Sequence, residues 1–208
     1  MKKSKRIKKS NSWKIKQHRD QFFKKSKTLG YRSRASFKLI ELNKKYKFIK
    51  NDTNLLDLGS CPGGWSQVAS QIITEGRILA IDLDEMKPIK NVEFLKGDIL
   101  ESQTKQKITN YFGKKIDVII SDMAADTTGN KSLDSIRTNQ LCSNVINFSK
   151  DSLKPKGVLI SKIFMGEDFI EVKNLAKSIF KKVNFFKPDS SRKESKETYL
   201  HCEILKSL

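Results

Sequence analysis

Residues 54–65 read Asn-Leu-Leu-Asp-Leu-Gly-Ser-Cys-Pro-Gly-Gly-Trp, and this stretch decides the fold class. A short apolar run, Asn54–Leu58, breaks into a loop holding Gly59, Gly63 and Gly64, and a helical pattern follows from Trp65 to Ile73. Strand, glycine loop and helix open a nucleotide-binding α/β unit, in which glycine lets the backbone approach a ligand closely. The loop is not G-x-G-x-x-G: Cys61 stands at the second glycine position and Gly64 comes early. Alone it could be a tight strand-to-helix turn. Asp82 lifts it above that reading. It ends the next apolar run, about 20 residues beyond the loop, where an acid grips ribose hydroxyls. That position serves NAD and S-adenosylmethionine alike.

Working outward, apolar strand-like runs occupy Asn54–Leu58, Arg77–Asp82, Val92–Leu95, Ile116–Ser121, Gly157–Ile163, Val183–Phe186 and Thr198–Leu205. Helical patterns at Trp65–Ile73, Leu133–Leu153 and Glu167–Phe180 alternate with them. Solid runs such as Ile116–Ile120 suit a parallel sheet covered on both faces. The alternation predicts a doubly wound α/β domain over residues 31–208. Pro188–Thr198 is polar and serine-rich, a loop before the last strand.

In such sheets ligands bind beyond the carboxyl ends of the strands. Asp82, Asp98, Asp122 and Lys162 all fall there. One acid after a strand is routine as a turn former or cap; four charged strand ends are harder to dismiss. Ser33 is expected to cap a helix running to Tyr46, with Ala35, Leu39, Leu42 and Tyr46 as its buried stripe. Lys38 lies three residues after Ala35 and four before Leu42, so it points along that stripe. Most lysines so placed snorkel to water. Lys38, Asp122, Lys162 and Glu197 nevertheless share one property: each sets a charge where its segment wants an apolar group. Such charges need partners, and perturbed partners concentrate at functional sites.

The chain has 208 residues and a formal net charge of +19. Residues 1–30 hold twelve Lys/Arg against the single Asp20, supplying +11 of that total. Lysine could serve solubility alone, but this clustering favours a polyanionic partner. Residues 1–30 lack periodicity and read as a flexible basic arm for such a partner. Trp13, Phe22 and Phe23 are expected to dock it on the domain rather than stack on bases. Three cysteines without a CxxC pair indicate a reducing compartment and no structural zinc. His18 and His201 have no partners at metal-ligand spacing, so no metal is expected. The basic N-terminus lacks an apolar segment behind it and no run reaches membrane-spanning length. A cytoplasmic protein without a membrane partner is therefore expected.

The segments RSRASFKL around Lys38, DLGSCPGGWSQ around Gly63, GDI at Asp98, SDMA at Asp122, SKIFMGE at Lys162 and KPDSSRKESKETY through Glu197 together resemble the FtsJ-like (RrmJ-type) ribosomal RNA 2′-O-methyltransferases. The resemblance runs from about Arg32 to the C-terminus. It implies a seven-stranded, mostly parallel Rossmann-like sheet with an antiparallel last strand. It assigns Lys38, Asp122, Lys162 and Glu197 to a catalytic Lys-Asp-Lys-Glu tetrad, with Lys162 as proton acceptor. It assigns Gly59, Gly63, Gly64, Trp65, Asp82, Asp98 and Asp122 to S-adenosylmethionine, which leaves as S-adenosylhomocysteine. The family usually continues Met-Ala-Pro-Asn after the aspartate; here Met123-Ala124-Ala125-Asp126 stands instead, which could alter the substrate approach.

The implied reaction is methyl transfer to a ribose 2′-hydroxyl of large-subunit (23S) rRNA, in a uridine of the A loop of the assembled 50S subunit, by a monomer with no DNA partner. Burial and a second cation depress a lysine, while nearby carboxylates raise it. Lys162 is therefore either a neutral base or a protonated stabiliser of alkoxide. Rival readings are methylation of a tRNA anticodon loop, a non-catalytic rRNA-binding assembly factor, and an NAD oxidoreductase. The last lacks a proton-donor arrangement for hydride transfer.

Overall fold

The computed structural model describes residues 20–206. Its elements are α1 (Gln21–Thr28), α2 (Ser36–Tyr46), β1 (Leu55–Leu58), α3 (Gly64–Ile72), β2 (Ile78–Asp82), β3 (Glu93–Lys96), α4 (Ser102–Phe112), β4 (Ile116–Ser121), α5 (Lys131–Ser152), β5 (Leu153–Phe164), α6 (Phe169–Ile179), β6 (Phe180–Phe186) and β7 (Glu197–Leu205). The seven strands form one sheet in the order β3-β2-β1-β4-β5-β7-β6. β1 to β5 run parallel, and β7 is antiparallel to both β5 and β6.

The apolar runs are continuous because both faces are covered. One face packs Leu56, Leu58, Ile119, Leu159 and Ile163 against Ile108 and Phe112 of α4, Val145 and Ile146 of α5, and Val172 and Ala176 of α6. The other packs Leu55, Val118, Ile120, Ile160 and Tyr199 against Leu39 and Leu42 of α2 and Trp65, Val68 and Ala69 of α3. Strand alternation divides the side chains between the faces.

Several expectations need adjustment. α2 begins at Ser36, with Ala35 at its N-cap and no side-chain cap, so Ser33 is not the cap. Ser33 instead packs on the next helix: a Cβ on Gly64 would lie 2.2 Å from its Oγ. Ser36 Oγ donates to the Gly64 carbonyl at 3.0 Å, and this close contact shifts the start. α4 has no strong sequence signal. It buries only Thr104, Ile108 and Phe112, one residue per turn, on an otherwise polar helix. β5 starts earlier than Gly157, because Leu153 pairs with Ile116 before an irregularity in the register.

The first thirty residues are not uniformly without structure. From Gln21 to Thr28 they form α1, capped by the Asp20 side chain. Phe22 packs on Phe37 with ring centroids 5.5 Å apart, and Ser26 is buried. Burial of these few groups outweighs the polar composition of the segment. Trp13, His18 and the rest of the arm to residue 19 lie outside the described residues.

Candidate active site

Sheet register builds the site. Leu58 pairs with Ile81 on one side and Ser121 on the other, and Ser121 pairs with Ser161. The carboxyl ends of β1, β2, β4 and β5 are therefore level. Gly59, Asp82, Asp122 and Lys162 come to one rim, at the point where the strand order reverses. Lys162 pairs in turn with Tyr199, and Phe164 with Glu197, across the antiparallel β7. That reversed direction carries Glu197 to the rim at the start of its strand. Lys38 reaches the same place from α2.

The four charges meet. Lys162 Nζ lies 2.8 Å from Asp122 Oδ1 and 3.6 Å from Glu197 Oε2, and donates to the Asp122 carbonyl at 2.7 Å. Lys38 Nζ lies 2.7 Å from Glu197 Oε1. Tyr199 Oη donates to Asp122 Oδ1, and Ser191 Oγ donates to Glu197 Oε1 at 2.9 Å. Lys38, Lys162 and Glu197 are each buried, so these pairs are held out of bulk water, where charge–charge interaction is strong.

Burial opposes the charge on Lys162, but Asp122 and Glu197 outweigh it and raise the amine above the ordinary lysine range. Burial likewise pushes the Asp122 carboxyl up, and Lys162 and Lys38 overcome it, holding it below the usual carboxylate value. Tyr199 is pushed well upward by burial and the two carboxylates, so it remains a phenol donor. The two carboxylates therefore favour the ammonium form of Lys162.

Beside the tetrad lies a cleft of about 310 Å³. Gly59, Asp82, Asp98 and Asp122 line it, together with Cys61, Ile81, Ile99, Leu100, Met123 and Leu141. Asp82 Oδ2 accepts the Cys61 N–H at 2.7 Å, and Oδ1 accepts the Asp84 N–H at 3.0 Å. A carboxylate has about four acceptor positions, so capacity for ligand hydroxyls remains. Gly63, Gly64 and Trp65 are not among the lining residues. The Trp65 indole is buried, donating to the Ala35 carbonyl at 2.9 Å and packing on Tyr199. A contact of Trp65 with the cofactor would therefore run through its backbone and not its ring. Apolar burial claims the ring, and what these three positions offer is backbone, since first-turn amides of a helix have no partner within it.

Sequence reading missed the apolar wall of Ile99, Leu100 and Leu141, which carries no charge signal. It also missed Tyr199 as a tetrad neighbour. That one was legible: Tyr199 stands two residues after Glu197, so both side chains share a face of the strand.

The sequence model of the FtsJ-like methyltransferases matches residues 31–204. The chain belongs to the FtsJ-like methyltransferase family. It is 45% identical over 197 residues to the ribosomal RNA large subunit methyltransferase E of Pelagibacter ubique, covering 95% of this chain and 97% of that protein. Among solved structures it resembles a ribosomal RNA methyltransferase of Plasmodium falciparum, with TM-score 0.75 and 34% identity, covering 84% of this chain and 98% of that one. Human methyltransferase-like protein 13 in complex with S-adenosylhomocysteine shares the fold, with TM-score 0.56 and 15% identity over 81% of this chain and 79% of that one. In this family member, no group of three or more His, Cys, Asp or Glu is placed to hold a metal among the described residues. No described helix is long and apolar enough to cross a membrane.

Proposed function

We propose that this methyltransferase methylates a ribose 2′-hydroxyl of large-subunit rRNA, at an A-loop uridine of the assembled subunit, acting as a monomer. The observation that carries the reading is that Asp122 belongs to both halves of the site. It lines the cleft and it holds Lys162 at 2.8 Å. A hydroxyl seated against Lys162 is thereby beside the cofactor. The relatives named above as rRNA methyltransferases support the substrate class.

The cleft fits S-adenosylmethionine in chemistry. Asp82 and Asp98 would take ribose hydroxyls and the wall of Ile81, Ile99 and Leu100 a flat base, while the free first-turn amides of α3, next to that lining, would suit a carboxylate. When bound, the cofactor supplies a methyl already activated by a positive sulfur. The protein's part is to align the nucleophile, and positioning alone can supply about 7–11 kcal/mol. Lys38 and Glu197 orient Lys162. A further positive charge near the amine lowers its ionisation, so Lys162 becomes a proton acceptor only in the loaded site. Asp122 and Glu197 then offset the cation that forms.

The experiment is incubation of the protein with labelled S-adenosylmethionine and, separately, tRNA, free rRNA and large subunits from a strain lacking the gene, followed by mapping of the labelled ribose. Label in large-subunit rRNA is the expected result. Label in tRNA alone, or in none of the three, refutes it.

A further inference from the structure

A second cleft, of about 240 Å³, opens beside the tetrad and is lined by Arg34, Lys38, Arg192, Ser195 and Glu197. It is strongly basic, because Glu197 is already shared between Lys38 and Lys162. The anion that answers its two guanidiniums is Asp20. Asp20 Oδ2 pairs directly with Arg34 and lies 3.6 Å from Arg192 Nε. The other oxygen, Oδ1, is engaged elsewhere: it caps α1 by accepting the Phe22 and Phe23 N–H groups at 3.0 and 3.2 Å. The pair is shielded, with side-chain exposures of 18% for Arg34 and 10% for Asp20. Burial and the neighbouring Arg192 both push Arg34 below the ordinary arginine range. Asp20 is also the single acid in the first thirty residues.

Two guanidiniums that meet on one carboxylate, with the Ser195 hydroxyl lining the same cleft, form a donor set suited to phosphate. We propose that Arg34, Arg192 and Ser195 form a binding site for a phosphodiester flanking the target ribose, and that Asp20 pairs with the two arginines as a carboxylate stand-in until RNA displaces it. This rests on the reading above that the substrate is RNA. The exchange leaves neither arginine unpaired at any stage, which matters because a half-buried unpaired charge is costly. It also leaves α1 capped, since the cap uses the other oxygen. A ligand without a phosphodiester at this spacing has nothing to exchange for Asp20, so the site discriminates as well as binds.

The test uses the full chain and a transcript of large-subunit rRNA, with binding measured across a salt series. Asp20→Asn keeps an equally good N-cap and removes only the competing charge. It should bind the transcript about 3- to 10-fold tighter at low salt, the range of one ion pair. Its log–log salt slope should steepen by about 0.7–0.9, as for one more phosphate neutralised. Arg192→Gln should flatten the slope by a similar amount and shrink the effect of Asp20→Asn in the double variant. Unchanged affinity and slope in Asp20→Asn would make the pair a structural strut and overturn the proposal. If that variant melts early because α1 has come loose, Arg192→Gln decides alone, and an unchanged slope there overturns it. Methylation of large subunits by the wild-type protein is measured alongside. Its absence refutes the substrate reading, whereas its presence with an unresponsive Asp20→Asn refutes this site only.

Discussion

Lys162 shares its ammonium between two carboxylates, and that sharing fixes how its chemistry depends on pH. Burial lowers its ionisation, but Asp122 and then Glu197 raise it beyond that loss. A base must first lose its proton, so the single-turnover rate at saturating S-adenosylmethionine should climb as pH rises. Glu197→Gln removes one of the raising charges. Its plateau should be lower and its pH–rate profile displaced toward lower pH; a profile that stays put or moves upward would contradict the acceptor role. Lys162→Ala should abolish transfer while cofactor and RNA affinities change little, as expected for an interaction made only in the transition state. A second buried charge concerns stability instead. Asp57, in the middle of β1, is fully buried, accepts from Ser66 Oγ and is pushed up to about 7. An unfolded chain releases that proton near pH 4, so the folded form holds it longer. Its contribution is full below pH 4 and is lost as pH rises to about 7. Asp57→Asn should remove that loss, a difference of a few kcal/mol at most. Paired melting curves at pH 5 and pH 8 check it: the variant should lose less stability between them than wild type does.

At the scale of elements, α5 acts as the brace of the rim. Asn139, fully buried, accepts the Phe164 N–H at 2.8 Å and donates to the Phe164 carbonyl at 3.0 Å and to Asp168 at 2.8 Å. One amide thus closes the end of β5, two residues beyond Lys162. Asp134 accepts from the Thr128 N–H and hydroxyl, both at 2.7 Å, and Thr138 Oγ1 accepts the Ala125 N–H at 3.2 Å. The last bond bears on the departure from the family pattern. A proline at 125 would have no N–H to give, so here a hydrogen bond restrains the loop where a ring otherwise would. Asn139→Ala would leave the Phe164 N–H and carbonyl without partners. It should cost about 2–4 kcal/mol of stability, read as a lower urea midpoint, and should reduce activity through the displaced Lys162. A variant with wild-type midpoint would show that α5 does not brace the rim.

Across the whole molecule, the basic arm and the domain meet through α1. Residues 1–19 carry nine Lys/Arg and no acid, whereas α1 packs on α2 through Phe22 and Phe37. Deleting residues 1–19 should leave the melting temperature and cofactor binding near wild type. It should weaken rRNA binding and flatten its salt dependence by about one unit of log–log slope for each phosphate that the arm neutralises. Deleting residues 1–30 should also lower the melting temperature, because it removes packed residues as well as charge. Equal melting temperatures for the two truncations would mean that α1 contributes nothing to the fold. The order of residues was enough to establish the alternating strands and helices, the glycine loop of β1, and the four charges that break their apolar surroundings. These are local signals, since periodicity and misplaced charge are properties of a few neighbouring residues. Only the packed chain shows that Trp65 turns into the core, that α1 docks, that Lys162 is shared and held as a cation, and that Asp20 answers Arg34 and Arg192. Each depends on groups far apart in the chain, 172 positions for Asp20 and Arg192. Sheet register and burial bring such groups together, and no local pattern encodes that meeting.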